Sequence, residues 1–334
     1  MTRSILAVLA AIPALASAAA AQAPAGFDLS REEVRAFVEE VASRHALDRD
    51  ALYALLAEAK PQPKIIELIS RPAERVIPWW EYRQRFLTEE RINGGVQFWR
   101  RNRETLQRVS GEHGVPPEYI VAIIGVETFY GRITGGFRVL DALTTLAFDY
   151  PPRSEFFRKE LEQFVLLASE EDVDPLTVKG SYAGAMGAPQ FMPSSYRRYA
   201  VDGSRDNRRN LWDDWDDVIA SVANYFAAHG WERGGPVLAP ARLDPEPSFT
   251  VYPGNLELNE TLDSLSAVGV QVDIDAPGNT PVLLVPAEER DGPAYRVGFR
   301  NFYVITRYNR STRYAMAVHD LAQAIAERYQ RSGS

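Results

Sequence analysis

The sequence contains no cysteine in 334 residues and only four histidines, His45, His113, His229 and His319. No disulfide can form, so stability must come from a packed core. The histidines do not fall at zinc-ligand spacing, which removes a zinc site of the usual design. No G-x-x-x-x-G-K-[ST] phosphate loop and no G-x-G-x-x-G fingerprint is present, so nucleotide chemistry has no motif to rest on. Gly180-Ser181-Tyr182-Ala183-Gly184 places its serine one position early for the G-x-S-x-G elbow, which argues against a serine hydrolase. Positive charge is short too. Lys and Arg total 37 against 45 Asp and Glu, a formal net charge of -8 that argues against a general nucleic-acid binder. Long hydrophobic runs are missing. The apolar run Ile5 to Leu15 is too short for a confident membrane span.

With Arg3 ahead of that run and Ala19-Ala20-Ala21 before Gln22, residues 1–21 read as a secretory signal peptide. The alternative is an N-terminal membrane anchor. Removal of the segment takes away one positive charge. There is no cysteine to carry a lipid anchor after the signal, so the expectation is a soluble, exported, periplasmic protein.

What is present is mostly helical. Residues 22–28, rich in Ala, Pro and Gly, are expected to be a mobile linker. A helical domain over 29–110 opens with a capping box at Ser30 and Glu33, followed by Val34, Phe37, Val38 and Val41 at helical spacing. Asp48 caps a second helix. Pro78-Trp79-Trp80-Glu81-Tyr82-Arg83 opens another, whose aromatics belong either to the core or to a sugar groove. From 236 to 300 the pattern changes to a small β domain. Strands are expected at Phe249 to Tyr252, Val270 to Ile274, Pro281 to Val285 and Tyr295 to Phe299. Over 301–330 a strand at Phe302 to Tyr308 and a helix capped by Ser311 return to the helical part. The fold class is α+β, mainly helical.

Two stretches carry chemistry. Ile120 to Val126 is apolar all round, so the helix entered through Pro116 and Pro117 should be buried. It ends on a single carboxylate, Glu127, before Gly131 as a stop. Burial and the negative end of the helix dipole both raise the pKa of an acid placed there. A carboxylic acid kept protonated near neutral pH is what general-acid catalysis needs. The other reading is a structural acid paired with Arg132 or Arg138. The second stretch is Gly180 to Tyr196, where Gly and Ala leave backbone groups open to a close ligand. There Gln190 and Ser181 offer directional hydrogen bonds, and Ser194 can cap the following helix. A tight packing crossover would look the same.

Val121 to Gly131, Gly180 to Tyr196, Ser221 to Phe226 and Asn301 to Asn309, in that order, resemble the lytic murein transglycosylase B family. The resemblance runs from about residue 30 to 328. It implies a lysozyme-like catalytic core, placed here at 111–235, a surrounding helical domain and a small β domain. It implies cleavage of the β-1,4 bond between N-acetylmuramic acid and N-acetylglucosamine in peptidoglycan, with 1,6-anhydromuramoyl ends and no cofactor requirement. Glu127 matches the family's single catalytic acid, acting first as acid and then as base. By motif position Ser181, Gln190, Tyr225, Tyr308, Asn309 and Tyr314 line the glycan groove. The alternatives are a hydrolytic muramidase on the same substrate and a non-catalytic peptidoglycan-binding scaffold. Glycan strands are the expected partner, together with cell-wall synthesis or remodelling proteins.

Asp202, Ser204 and Asp206 stand at positions 1, 3 and 5 of a partial EF-hand pattern, with Asn207 at position 6 and Asp213 at position 12. The resemblance implies a longer loop, in which Arg208 gives its carbonyl and Asp217 is the final ligand of a structural calcium. Asp213 is the alternative last ligand. The competing reading is a solvated acidic loop with local Arg–Asp pairs.

Overall fold

Apolar residues at helical spacing place most of this chain in helices that bury a stripe or, in one case, their whole surface. The computed structural model describes residues 26–71, 77–171, 173–251 and 254–332. Its helices are α1 Glu32–His45, α2 Arg49–Ala57, α3 Pro63–Ser70, α4 Trp79–Tyr82, α5 Glu89–Arg101, α6 Arg103–His113, α7 Pro117–Thr128, α8 Val139–Asp149, α9 Ser154–Glu170, α10 Pro193–Tyr199, α11 Trp215–Ala228, α12 Leu262–Ala267, α13 Arg300–Tyr308 and α14 Thr312–Arg331. The strands are β1 Phe137–Arg138, β2 Lys179–Gly180, β3 Leu238–Leu243, β4 Glu260–Thr261, β5 Val270–Val272, β6 Pro281–Pro286 and β7 Tyr295–Gly298. The class is α+β and mainly helical, as expected. The signal segment lies outside the described residues, as does most of the 22–28 linker.

α7 is the centre of the molecule. Its residues Tyr119 to Gly125 are all buried, and α14, α5, α6 and α11 pack around it. One hydrophobic core joins these helices to α8 and α9. The β strands form a five-stranded antiparallel sheet in the order β4-β6-β7-β3-β5. The sheet has a small core of its own, built from Leu265, Val270, Val282, Val297 and Phe299. Alternation along β6 sends Val282 into this core, while Leu283 and Val285 join the helical one. The sheet is therefore pinned on the helices rather than hung from them. Arg296 of β7 reinforces this by donating to both oxygens of Asp320 on α14, at 2.6 and 3.2 Å.

Local expectations met the structure unevenly. Asp48 accepts from the N–H groups of Asp50 and Ala51, and Ser311 from that of Tyr314, so both caps form. The Ser30–Glu33 box does not. Ser30 turns back to bond Asp28 through its N–H and hydroxyl, and α1 starts at Glu32 with Glu33 bonded to Arg31. Ser194 is likewise not a cap. It is the second residue of α10, and its N–H and hydroxyl bind the buried Glu160 carboxylate. The segment Phe302 to Tyr308 is helix, not strand. The buried positions of α13, Asn301, Phe302, Val304, Ile305 and Thr306, follow helical spacing, and packing outweighs its β-branched and aromatic composition. Phe249 to Val251 form no strand, and Phe249 instead packs its ring against Tyr295. The central strand β3 was hidden by Pro240, a residue that normally demotes a strand.

Candidate active site

The site begins at the end of α7. Thr128 is its last residue, and Phe129, Tyr130 and Gly131 follow with φ of 53°, 61° and 82°. The Phe129 N–H bonds the Gly125 carbonyl and the Tyr130 N–H that of Ile124, closing the helix. Two non-glycine residues in the left-handed region are costly and need support. The Tyr130 ring provides it. It enters a niche where a β-carbon on Gly125 or Gly95 would lie within 3 Å of the ring or its hydroxyl, and that hydroxyl donates to the Arg91 carbonyl at 2.7 Å. The buried Thr128 hydroxyl donates to the Ala188 carbonyl at 2.8 Å and accepts from the Gly131 N–H at 3.0 Å. The turn after Glu127 is thus locked to both α5 and the Gly-rich loop.

Glu127 keeps a small accessible edge, while its carboxyl is packed within the protein. Burial pushes its pKa up to about 7, and the hydroxyl of Tyr314, which donates to Oε1, pulls the other way. No other carboxylate among the described residues acts on it. Neither arginine near it in sequence is its partner. Arg132 pairs with Glu90, and Arg138 with Asp141. Glu118, Glu160 and Asp217 are also raised by burial, but Glu160 is occupied by Ser194 and Asp217 by backbone N–H groups.

Tyrosines wall the acid. Tyr314 and Tyr308 are held well above ordinary tyrosine pKa values by burial and by the charge of Glu127, so both are neutral donors. Tyr308 donates to the Pro189 carbonyl at 2.6 Å, and its ring lies 4.8 Å from that of Tyr225. Tyr225 donates to the Arg307 carbonyl at 2.7 Å. Their hydroxyl protons are thereby committed to backbone, leaving the oxygen lone pairs to accept from a ligand, while the Tyr225 ring is packed by His229, Tyr199, Phe191 and Tyr308.

The Gly-rich loop is a set of short bridges: Ser181 to Ala185, Met186 to Phe191, and Ala188 to Leu211. Ser181 Oγ accepts the N–H groups of Ala183 and Ala185, so the serine shapes the loop and keeps its own proton to donate. Gln190, at φ 53°, donates its amide to the carbonyls of Thr134 and Gly187, both at 3.0 Å, leaving its amide oxygen to accept. Asn309 is exposed at the end of α13, next to Tyr308. The structure thus brings Tyr314, Tyr308 and Tyr225 into one chain of contacts with Glu127. It ties the Gly-rich loop to that chain through Pro189 and Ala188. Ser181 and Asn309 make no direct bond to it.

Tyr82 and Phe191 also belong here. Tyr82 feels the Glu127 charge and lies under Arg313, and Phe191 packs on both Tyr225 and Tyr308. Tyr82 stood in an aromatic segment for which core was favoured over groove, and Phe191 had no signal beyond its place in the Gly-rich stretch.

The acidic loop also closes on itself. Carboxylate oxygens of Asp202, Asp206 and Asp217 lie within 4.8 Å of one another. Asp213 is exposed and outside this group, so Asp217 is the residue gathered in. Asp202 accepts from the N–H groups of Arg205, Asp206 and Asn207, and from the Ser204 hydroxyl at 3.4 Å. Asp217 is fully buried and accepts from those of Gly203, Ser204 and Asn210. Arg205 and Asn207 take φ of 67° and 69° to bring these groups inward. All donors are oxygens, which suits a hard cation such as calcium.

A sequence profile described as "Transglycosylase SLT domain" matches residues 30–323. The chain is 44% identical over 299 residues to the membrane-bound lytic murein transglycosylase B of Escherichia coli strain K12, covering 87% of this chain and 81% of that protein. Its structure is similar to that of the catenated lytic transglycosylase SltB1 from Pseudomonas aeruginosa, with a TM-score of 0.86 and 48% identity over 90% of this chain and 98% of the other. It is also similar to the Escherichia coli lytic transglycosylase SLT35 in complex with calcium, with a TM-score of 0.83 and 42% identity over 91% and 96% of the two chains.

Proposed function

The chain belongs to the transglycosylase SLT domain family, and we propose from that premise that Glu127 is the single catalytic carboxyl of its reaction. The protein is a lytic transglycosylase, an enzyme that acts on peptidoglycan, with a lysozyme-like helical core. One observation supports the finer chemistry. Glu127 has a pKa near 7, and no second carboxylate among the described residues acts on it. Most glycosidases that use water as nucleophile or form a glycosyl-enzyme use a carboxyl pair about 5 to 9.5 Å apart, with substrate-assisted families as exceptions. A lone carboxyl supports a reading in which it serves twice. Protonated Glu127 gives its proton to the leaving glycosidic oxygen. As carboxylate it then takes the proton from the C6 hydroxyl of the muramoyl residue, and that oxygen bonds to the anomeric carbon. The substrate's own acetamido group supports the positive charge in between. The Tyr314 hydroxyl stabilises the carboxylate stage, and a pKa near 7 suits both halves of the cycle. Gln190, Tyr225, Tyr308 and Ser181 form the groove wall, with Asn309 at its edge.

The mass of the released muropeptide tests this reading. A 1,6-anhydro product is one water lighter than a hydrolytic one, and release of hydrated ends alone would replace the lyase mechanism with a muramidase one. Glu127→Gln should lose turnover by a factor of about 10² to 10⁴ yet still bind sacculi. Unchanged turnover would make Glu127 structural and revive the scaffold reading.

A structural calcium ion fits the loop at Asp202, Ser204, Asp206, the Arg208 carbonyl and Asp217. The convergent oxygens support this, and a calcium complex of SLT35 adds to it. The ion would cross-link the loop to α11 without taking part in the chemistry. Calcium should raise the melting temperature of the wild-type protein. Asp206→Asn should abolish that rise and leave the metal-free melting temperature within about 1 °C, since Asp206 is exposed and accepts only the Arg208 N–H.

Export to the periplasm rests on residues 1–21. No helix among the described residues is long and apolar enough to cross a membrane. With no cysteine to acylate, a soluble form is the simplest state.

A further inference from the structure

In a chain with net charge -8, many arginines pair with acids. Among those that do not, one group stands beside the candidate site. Arg198, Arg300 and Arg307 have no carboxylate within ion-pair distance among the described residues, yet they gather on one flank of the candidate groove. Arg300 and Arg307, two turns apart on α13, place their guanidinium carbons 5.2 and 4.2 Å from the ring centroid of Tyr303 between them. Arg198 lies 5.3 Å from the Tyr199 ring centroid. His229 joins the two sides. It stacks on Tyr225 at 4.1 Å and packs at a tilt on Tyr199 at 5.0 Å, and the Arg300 guanidinium donates to its carbonyl at 3.3 Å. The charges of Arg198 and Arg307 both act on the His229 ring, adding to burial in lowering its pKa. Arg300 and Arg307 thus meet across the Tyr303 ring, and His229 lies between that pair and the Tyr199 ring beside Arg198.

The flank is continuous with the active site. His229 stacks on Tyr225, Tyr225 packs on Tyr308, and Tyr308 feels the charge of Glu127. Arg300 is explained by the fold, because it also donates to the Gly230 carbonyl and so holds the end of α11. Arg307 is not. Its Nε is fully buried and has no hydrogen-bond partner, and one terminal nitrogen reaches only the Thr306 hydroxyl. A buried guanidinium donor with no acceptor is costly, and a planar fork is suited to a carboxylate.

We propose that Arg307 and Arg198 bind a carboxylate carried by the muramoyl substituent of the glycan strand, and that this contact favours charged strands over neutral ones in the groove. The proposal rests on the peptidoglycan reading above. Peptidoglycan offers such a carboxylate from two sources: the free carboxyls of the stem peptide, and the lactyl carboxyl exposed when the peptide has been removed. Two arginines on aromatic rings supply both charge and a preformed orientation.

The test is binding, measured in the Glu127→Gln background so that turnover does not intrude. Three ligands are used: peptide-bearing strands, strands stripped of peptide by an amidase, and strands with all carboxyls methyl-esterified. Arg307→Gln and Arg198→Gln should each weaken binding of carboxylate-bearing strands about tenfold and leave esterified strands unaffected, with Arg307→Lys recovering part of the loss. A loss confined to peptide-bearing strands assigns the stem carboxyls, and a loss that includes stripped strands assigns the lactyl group. Equal affinity in all variants, or an equal loss on esterified strands, overturns the proposal. Arg198 is exposed, so Arg198→Gln keeps the test valid if Arg307→Gln does not fold. Product analysis of the wild-type enzyme runs beside it. Failure to form anhydro ends would sink the catalytic reading and leave the binding difference to stand or fall alone.

Discussion

Glu127 is under two opposed influences, and their balance can be read by pH. Burial holds the folded pKa near 7, above the ordinary 4.5, so the fold favours the neutral form. Its stabilising contribution is complete below pH 4.5 and is lost as pH rises through 7. Glu127→Gln, which stays neutral, should therefore match wild type near pH 4 and be more stable near pH 8 by about 1–3 kcal/mol, allowing for the solvent edge of the carboxyl. Chemical denaturation at the two pH values checks this. A variant less stable at pH 8 would show that the carboxylate, not the acid, is what the fold prefers. The same pKa predicts that initial rates fall as pH passes through about 7, because the first step needs the proton.

Among the elements, the stop of α7 decides where that acid sits. Three successive left-handed residues turn the chain immediately after Thr128, and only the last of them is glycine. At Gly131 a β-carbon would meet the Trp215 ring at 2.8 Å, in a backbone region that L residues avoid. Gly131→Ala should cost roughly 1–2 kcal/mol from the backbone conformation, with the clash adding to it. Turnover should fall as well, since the Thr128 hydroxyl that accepts the Gly131 N–H is bonded to the Gly-rich loop. Denaturation midpoints and initial rates on sacculi would measure both, and an Ala variant of wild-type stability would mean that the turn is not under this constraint. This stop was legible only in part. Gly131 marked the end, but the left-handed Phe129 and Tyr130 gave no signal, because the niche for the Tyr130 ring needs Gly94 and Gly95 of α5 brought against Gly125.

Across the molecule, Asp320 is one of the points at which the sheet is held to the helices. It receives Arg296 from the sheet and lies 4.0 Å from Arg83 on the segment after α4. Both members of the Arg296–Asp320 pair are mostly buried, at 19% and 12% side-chain exposure. Asp320→Asn leaves Arg296 without its counter-charge and should cost about 1–3 kcal/mol in urea denaturation. An unchanged midpoint would mean that apolar packing of Leu283 and Val285 carries the junction alone. α14 also supplies Tyr314 to the active site, so sheet docking and the acid's hydrogen bond are carried by one helix.

By itself the sequence determined the helical class, the buried α7, its single terminal acid and the Gly-rich loop, because each depends on local spacing and composition. The family pattern added the tyrosines and the loop at Asp202 to Asp217. Only the tertiary structure decided that Phe302 to Tyr308 is helix, that Asp217 rather than Asp213 joins the acidic cluster, and that Tyr314 holds Glu127. Each of these depends on contacts between residues far apart in the chain, where burial outweighs local preference. The raised acidity range of Glu127 needed both: an apolar helix written in the sequence, and a set of neighbours that bury its end without a second charge.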